Sequence, residues 1–460
     1  MLFSGIPFLY YFLPAVVLVY FLLPRGLKNG WLLLSSLFFY GWGEPKYLAL
    51  MAVSITAFYL YGLAIEGAKT ERAKKVWLFF SAATGILLLA LFKYADFFLS
   101  TAASLTGLSI PLLRLALPIG ISFYTFQCMS YTIDVYRGEV AAQRSIVSFG
   151  AYVSLFPQLI AGPIVRYRDV AEDLAHRTHS WEKVYDGALR FLIGLGKKVL
   201  LANNLGQLTE LFRESGEKSV LFYWLYAIGF LLHIYFDFSG YSDMAIGLGK
   251  VFGFRFCENF DYPYVSQSVT EFWRRWHMSL GSWLRDYVYI PLGGNRVRKP
   301  RWGANILITW LLTGLWHGAA WNFVVWGLFF ALLLIVEKWV PSMQKLPGLL
   351  RRGYVLLAVC ISFVIFNAPS MAVAISDLGG LWGIGGVPLA SPEALYYLRS
   401  YAPLLLAGGI GATPLAKKLA LRLPEAVRAV LQPLFMAALL LLCTAYLVDG
   451  SFNPFLYFRF

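Results

Sequence analysis

The 460-residue sequence predicts an all-α, polytopic membrane fold. Three observations carry that expectation: an apolar composition, a succession of apolar runs of bilayer length, and basic residues gathered in the connections between them. Hydrophobic residues make up 59% of the chain and charged residues 14%, with a mean hydropathy of +0.63. Soluble domains carry roughly 25% charged residues, so a soluble fold is excluded on composition.

A spanning helix needs about 20 apolar residues. Runs near that length occur at 3–23, 31–43, 46–65, 77–99 and 115–135, and again near 220–249, 303–319, 321–337, 353–368, 400–412 and 429–448. Residues 181–218 either lie on the membrane or cross it, so nine to twelve membrane helices are expected. The first run has no basic residue before Arg25 and no small-residue cleavage pattern after it, and reads as the first span rather than a removed signal peptide. No internal repeat is visible, in contrast to the duplicated halves of many secondary transporters.

The formal charge of +14 would suit a nucleic-acid partner, yet the 39 Lys and Arg sit mainly in connections rather than in a basic domain. No nucleic acid is expected; the anionic cytoplasmic face of a bilayer explains them. Connections 24–30, 66–76 and 136–148 hold Arg25, Lys28, Lys69, Arg72, Lys74, Lys75, Arg137 and Arg144, whereas the opposite ones hold little beyond Lys46 and Arg114. The positive-inside rule then places the N-terminus outside. Later basic clusters are Lys338, Lys345, Arg351 and Arg352, then Lys417, Lys418, Arg422 and Arg428.

Two segments break the pattern. Residues 150–166 are apolar but contain Pro157, Gly162 and Pro163, which suits a re-entrant or broken helix lining a protected cavity. In 181–204, Lys183, Asp186, Arg190 and Lys197 form a polar stripe beside Leu189, Leu192, Ile193, Val199 and Leu200, the pattern of an interfacial helix. The four cysteines, Cys128, Cys257, Cys360 and Cys443, are scattered singly and suggest neither zinc nor disulfides.

Candidate chemistry centres on two of the five histidines. His277 lies in a stretch that Ser268 and Glu271 open with a capping-box pattern, so a helix is expected from 268 through 286. At about 100° per residue, Phe272, Trp273, Trp276, Leu280, Trp283 and Leu284 share one arc and Arg274, Arg275, Ser282 and Arg285 the other, with His277 at the border. That histidine either faces an apolar tunnel, with guanidiniums nearby for an anionic acyl carrier, or sits incidentally in an interfacial aromatic belt. His317 ends an apolar run, Asn305 to Trp316, and is followed by Gly318, Trp321 and Asn322. Gly314 and Thr313 lie three and four residues before it, leaving the helix face open and offering a hydroxyl to orient the ring. An ionisable group at that depth is a functional candidate; a histidine packed between tryptophans is the alternative.

A third cluster, His233 to Lys250, places Asp237, Tyr241 and Asp243 in an apolar segment, where the carboxylates are expected to pair with the arginines or hydrogen-bond the loop backbone, holding a site in shape rather than acting as acid and base. His176 and His179 have the spacing of a metal pair but no further nearby ligand, and no metal site is expected. Gly-Leu-Gly-Lys at 194–197 and 247–250 lacks the remainder of a phosphate-binding loop.

Several stretches together resemble the membrane-bound O-acyltransferase (MBOAT) family, in its polysaccharide O-acetylating branch. They are LPIGISFY at 117–124, Tyr131-Thr-Ile-Asp134-Val-Tyr-Arg137, FPQLIAGP at 156–163, YFDFSGYSDMAIGLG at 235–249, the run ENFDYPYVSQSVTEFWRRWHMSLGSWLRDYVYIPLGGNR, and GLWHGAAWNFVVWG at 314–327. The N-terminal seventy residues and the region after 340, including the ending Asn453 to Phe460, resemble it less. The resemblance implies one membrane domain over 1–460, with N-terminal spans at 1–135, a core at 136–340 and C-terminal spans at 341–460, its helices surrounding a tunnel. It further implies His317 as the catalytic histidine and His277 as its companion, with Trp316, Thr313, Asn322, Asp237, Tyr241, Asp243, Trp273 and Trp276 supporting the tunnel.

On that basis the expected reaction moves an acetyl group from a cytoplasmic thioester, acetyl-CoA or an acyl carrier, towards a hydroxyl of an exopolysaccharide such as alginate or another cell-envelope glycan. Arg274, Arg275, Arg285 or Lys250 would bind the donor's phosphates. His317 would act as general base, with His277 orienting the donor or polarising its carbonyl, and a covalent acyl-histidine step stays open. The expected setting is the bacterial inner membrane, with an exported SGNH-type acetyltransferase as partner and no bound cofactor. Acylation of teichoic acid, lipid or protein is the nearest alternative, and a secondary transporter using Asp237, Asp243 and the histidines is the alternative from another class.

Overall fold

The computed structural model describes residues 1–159, 162–340 and 345–449. Among them every regular element is helical, as the sequence predicts. Six helices are long and apolar enough to cross a membrane: Pro45–Gly67, Glu71–Thr106, Val220–Val251, Trp321–Trp339, Gly348–Asn367 and Glu425–Asp449. A seventh span results if Pro392–Gly411 and Leu415–Arg422, bent by 69°, count as one. The total is below the nine to twelve expected because several apolar runs make shorter or more polar helices. Lys28–Gly43 has 16 residues and Ile121–Arg137 has 17. Lys299–His317 opens on Lys299-Pro-Arg301 and carries Asn305, Thr309 and Thr313. Met371–Leu381, an 11-residue apolar helix, was not expected.

The helices group into two units. The first comprises Met1–Phe191 and Ser242–Glu258. Its helices Leu48–Gly67, Glu71–Leu89 and Ile121–Arg137 pack closely because Gly62 and Gly85 leave room for Tyr131 and Met129, whose side chains occupy the space a Cβ would need. Phe8, Phe39 and Phe156 form a buried aromatic nucleus. Segment 150–166 is broken: Ile146–Ser154 ends, Leu155 leaves the helical conformation, and the four-residue Phe156–Leu159 follows with Pro157 in its first turn. Residues 160 and 161 lie outside the described chain. Three charged residues of the 181–204 stripe, Lys183, Asp186 and Arg190, have protein partners in this unit. Arg190 binds Asp243 at 2.9 Å and also Glu258, Lys250 binds Asp186 at 2.6 Å, and Lys183 donates to the Thr178 carbonyl.

The second unit comprises Leu192–Tyr241 and Asn259–Phe460, the described part ending at 449, so that the ending Asn453 to Phe460 lies outside the described residues. Lys299–His317 and Trp321–Trp339 form its central hairpin. Gly314 and Gly327 face the backbone carbonyls of Phe323 and Trp310, with no room for a Cβ at either position. Around the hairpin an aromatic core gathers Phe272, Trp276, Trp326, Phe330, Phe363 and Phe366, all 2% exposed or less. Within this unit Lys198 and Asp237 form a buried ion pair at 2.5 Å, a lysine standing where an arginine or the loop backbone was expected.

Candidate active site

The expected continuous helix through His277 does not form. Ser268 caps Val269–Arg275 by accepting the N–H of Glu271 at 2.9 Å, as the capping pattern predicts. Glu337 supports the same helix start by accepting the N–H and hydroxyl of Thr270 at 3.1 and 3.0 Å and the N–H of Val269, placing an anion at the positive helix end. At Trp276 the backbone turns extended, and His277 adopts φ 45° and ψ 51°, the left-handed region, before Met278–Leu284 resumes. The break is enforced from outside: Asn259 accepts the N–H of Met278 at 3.0 Å, and Asp261 donates its N–H to the Arg275 carbonyl at 2.9 Å. A left-handed non-glycine residue costs roughly 1–3 kcal/mol and persists only where its surroundings over-determine it, often at functional sites.

The break takes His277 from the expected border into the interior, where it is 1% exposed. Phe238 packs edge-on against its ring at 4.6 Å and Trp316 lies at 5.6 Å, fixing the ring plane. Asn259 Oδ1 meets Nδ1 at 3.2 Å and also accepts the Ser279 hydroxyl at 2.8 Å. Nε2 is buried and meets no hydrogen-bonding group among the described residues. His277 sits between two short helices rather than in a spanning one. Burial pushes its imidazole down to about 3, so it is neutral at physiological pH.

His317 ends its helix as expected, beside Trp316, Trp326 and Phe366 with ring centroids 4.9, 4.9 and 5.3 Å away. The two imidazoles lie 6.4 Å apart, centroid to centroid. Thr313 does not orient His317: its hydroxyl donates to the Thr309 carbonyl at 2.7 Å, a bond along its own helix that satisfies it locally. Asn322 acts elsewhere too, donating to the carbonyls of Phe366 at 3.3 Å and Ala368 at 3.0 Å and so capping Gly348–Asn367.

A cavity of about 990 Å³ reaches His277. Trp273, Leu280, Leu284, Trp310 and Thr313 make its apolar part, while Arg274, Arg285, Lys338 and Arg351 line it with four cations against the two carboxylates Glu271 and Glu337. The remaining sequence candidates fall outside this lining. Arg275 turns away, bound to Asp261 at 2.8 Å and Glu271 at 3.0 Å, because those carboxylates offer it a bridge on its own side of the helix. Trp276 belongs to the aromatic core, 5.0 Å from Phe260 and 5.2 Å from Phe363. Tyr241 is buried, while Asp243 and Lys250 engage Arg190 and Asp186 in the first unit. Asn259, Lys338 and Arg351 are residues that sequence reasoning missed as parts of the site. In the sequence Lys338 and Arg351 signal only membrane sidedness, and Asn259 is 18 residues from His277 with no continuous helix joining them.

What this arrangement can do is bring an apolar-walled, cation-lined pocket to one buried imidazole, with a second 6.4 Å from it. Comparisons with known proteins place it in context. Residues 34–376 match the pattern of MBOAT, the membrane-bound O-acyltransferase family. The probable alginate O-acetylase AlgI of Azotobacter vinelandii is 38% identical, with all of both chains covered. The peptidoglycan O-acetyltransferase of Helicobacter pylori is 33% identical over 87% of this chain and 83% of its own. The teichoic acid D-alanyltransferase of Bacillus subtilis is 29% identical over 53% of this chain and 65% of its own. With its multi-pass helical fold and a family match spanning both histidine motifs, the chain belongs to the membrane-bound O-acyltransferase family and is an O-acyltransferase of the membrane.

Proposed function

We propose that this enzyme moves an acetyl group from acetyl-CoA on the cytoplasmic side of the bacterial inner membrane to a hydroxyl on the outer side, for O-acetylation of an exopolysaccharide such as alginate or another envelope glycan. The observation that carries the reading is the cavity at His277. Its cations suit the phosphates of a coenzyme thioester, and charge-assisted contacts of this kind are strong and, for guanidinium, directional. Lys338 and Arg351 flank a basic connection that the positive-inside rule assigns to the cytoplasm, where that thioester is found. The apolar walls beyond suit the pantetheine arm and the acetyl group. The names of the alginate- and peptidoglycan-acetylating relatives favour a glycan as the final acceptor.

In this reading His277 meets the donor, and His317, at the end of the helix Lys299–His317, takes the proton of the acceptor hydroxyl, a contribution of about 10²–10⁴-fold. An exported SGNH-type acetyltransferase receives the acetyl group and passes it to the glycan. Purified protein in proteoliposomes, given radiolabelled acetyl-CoA and either alginate oligosaccharide, a peptidoglycan fragment or an exported SGNH protein, tests the proposal. Covalent label in one of these acceptors is expected; label that crosses the bilayer with no covalent product would instead favour a transporter.

A further inference from the structure

The hydrogen bonds around His277 determine which of its nitrogens reacts. Asn259 Oδ1, on a fully buried side chain, lies 3.3 Å from the backbone nitrogen of Ser279 as well as 3.2 Å from His277 Nδ1. A backbone N–H can only donate, so the Asn259 atom facing it is the amide oxygen, an acceptor. The Ser279 hydroxyl, 3.5 Å from Nδ1, donates to the same oxygen at 2.8 Å, so the geometry favours a hydrogen on Nδ1 that points to Asn259. Neutral imidazole carries only one, and Nε2 is therefore left with its lone pair. This excludes a hydrogen bond from Nε2 to a thioester carbonyl. In that tautomer Nε2, which meets no hydrogen-bonding group among the described residues, can act as a nucleophile and not as a donor.

We infer that Asn259 is a positioning residue that holds His277 as a nucleophile, and that the acetyl group is carried in transit on His277 Nε2. The inference rests on the donor reading above. Nε2 attacks the thioester carbonyl; an N–C bond forms, the C–S bond breaks, and the thiolate leaves through the cavity and takes a proton from water. The acetyl group remains as an N-acetylimidazolium whose Nδ1–H still faces Asn259. The acceptor hydroxyl then attacks the acetyl carbon, its proton passes to His317, and the C–N bond breaks to restore neutral His277; His317 then returns the proton to the hydroxide left when the thiolate was protonated. Three features agree with two half-reactions at two rings. The cavity is lined by His277 and not by His317, the ring centroids are 6.4 Å apart, and the His277 backbone is held in a strained conformation that aims the ring.

The test is rapid-quench measurement of CoA release and of acetyl on the protein, with acetyl-CoA and no acceptor. Wild-type enzyme is expected to release a burst of about one CoA per protein, with the acetyl mapped to the peptide bearing His277. His317→Ala and His317→Gln keep the burst and lose turnover with acceptor present. His277→Gln loses both. Asn259→Leu slows the burst about 10–100-fold with little change in acetyl-CoA affinity, and Asn259→Asp, which still accepts the Nδ1 hydrogen, restores much of it. Selective ¹⁵N-histidine spectra of wild type, with the signal assigned by its loss in His277→Gln, are expected to show a protonated Nδ1 and a bare Nε2. Turnover with acceptor but no burst without it would overturn the covalent step, and a protonated Nε2 would overturn the role of Asn259. Absence of any CoA release from wild type, with or without acceptor, would instead defeat the donor reading itself.

Discussion

At the scale of single residues, the site separates side chains that neighbouring positions would group together. Arg274 and Arg275 are adjacent, yet the first lines the cavity and the second is bound by Asp261 and Glu271. If the cavity receives the donor's phosphates, Arg274→Ala combined with Arg351→Ala should raise the KM for acetyl-CoA about tenfold or more, since a hydrogen bond to a charged group contributes about 1.5–3 kcal/mol. Arg275→Ala should leave that KM within about threefold, as an exposed ion pair contributes about 1 kcal/mol or less. Steady-state kinetics of the variants separate the two; equal effects would place the donor elsewhere. His277 and His317 stand out in the sequence because each lies in an aromatic setting where an ionisable ring is costly, and the structure buries both with their rings 6.4 Å apart. The partner of His277 was not legible. Asn259 reaches it only because the chain breaks at a left-handed residue, a conformation that helical periodicity does not predict.

At the scale of elements, the boundaries were readable where local chemistry sets them and misread where tertiary bonds override it. Ser268 starts its helix through its own hydroxyl, which sequence reasoning recovered. The same helix stops after seven residues because the loop at 259–261 takes over its backbone hydrogen bonds, and nothing between 268 and 286 signals that competition. The central hairpin shows the opposite case. Its two helices approach through Gly314 and Gly327, and Gly327→Val should force them apart, costing about 1–3 kcal/mol or more. The check is the thermal stability of the detergent-solubilised protein, where a Tm equal to wild type would contradict the close crossing. A substitution at Gly353, whose Cβ would meet nothing nearby, is the control and should leave Tm unchanged within error.

At the scale of the whole molecule, composition was enough to identify an all-helical membrane protein, and among the described residues six helices, or seven with the bent pair, have the length and hydropathy of a span. Lys28–Gly43 and Ile121–Arg137, with 16 and 17 residues, lie at the short end of the length a span needs. Sidedness is a separate claim that follows from the placement of Lys and Arg, and it is directly measurable. In intact cells, a cysteine introduced at Leu108 should react with a membrane-impermeant maleimide, whereas one at Arg72 should react only after the membrane is opened. The reverse pattern would invert the orientation and with it the cytoplasmic entry of the donor. The most direct test of the whole account is acetyl transfer from acetyl-CoA in proteoliposomes, measured for wild type, His277→Ala and His317→Ala at equal levels of folded protein. Transfer is predicted to fall at least about 100-fold in both variants, and near-normal transfer in either one would contradict the placement of the chemistry at these two imidazoles.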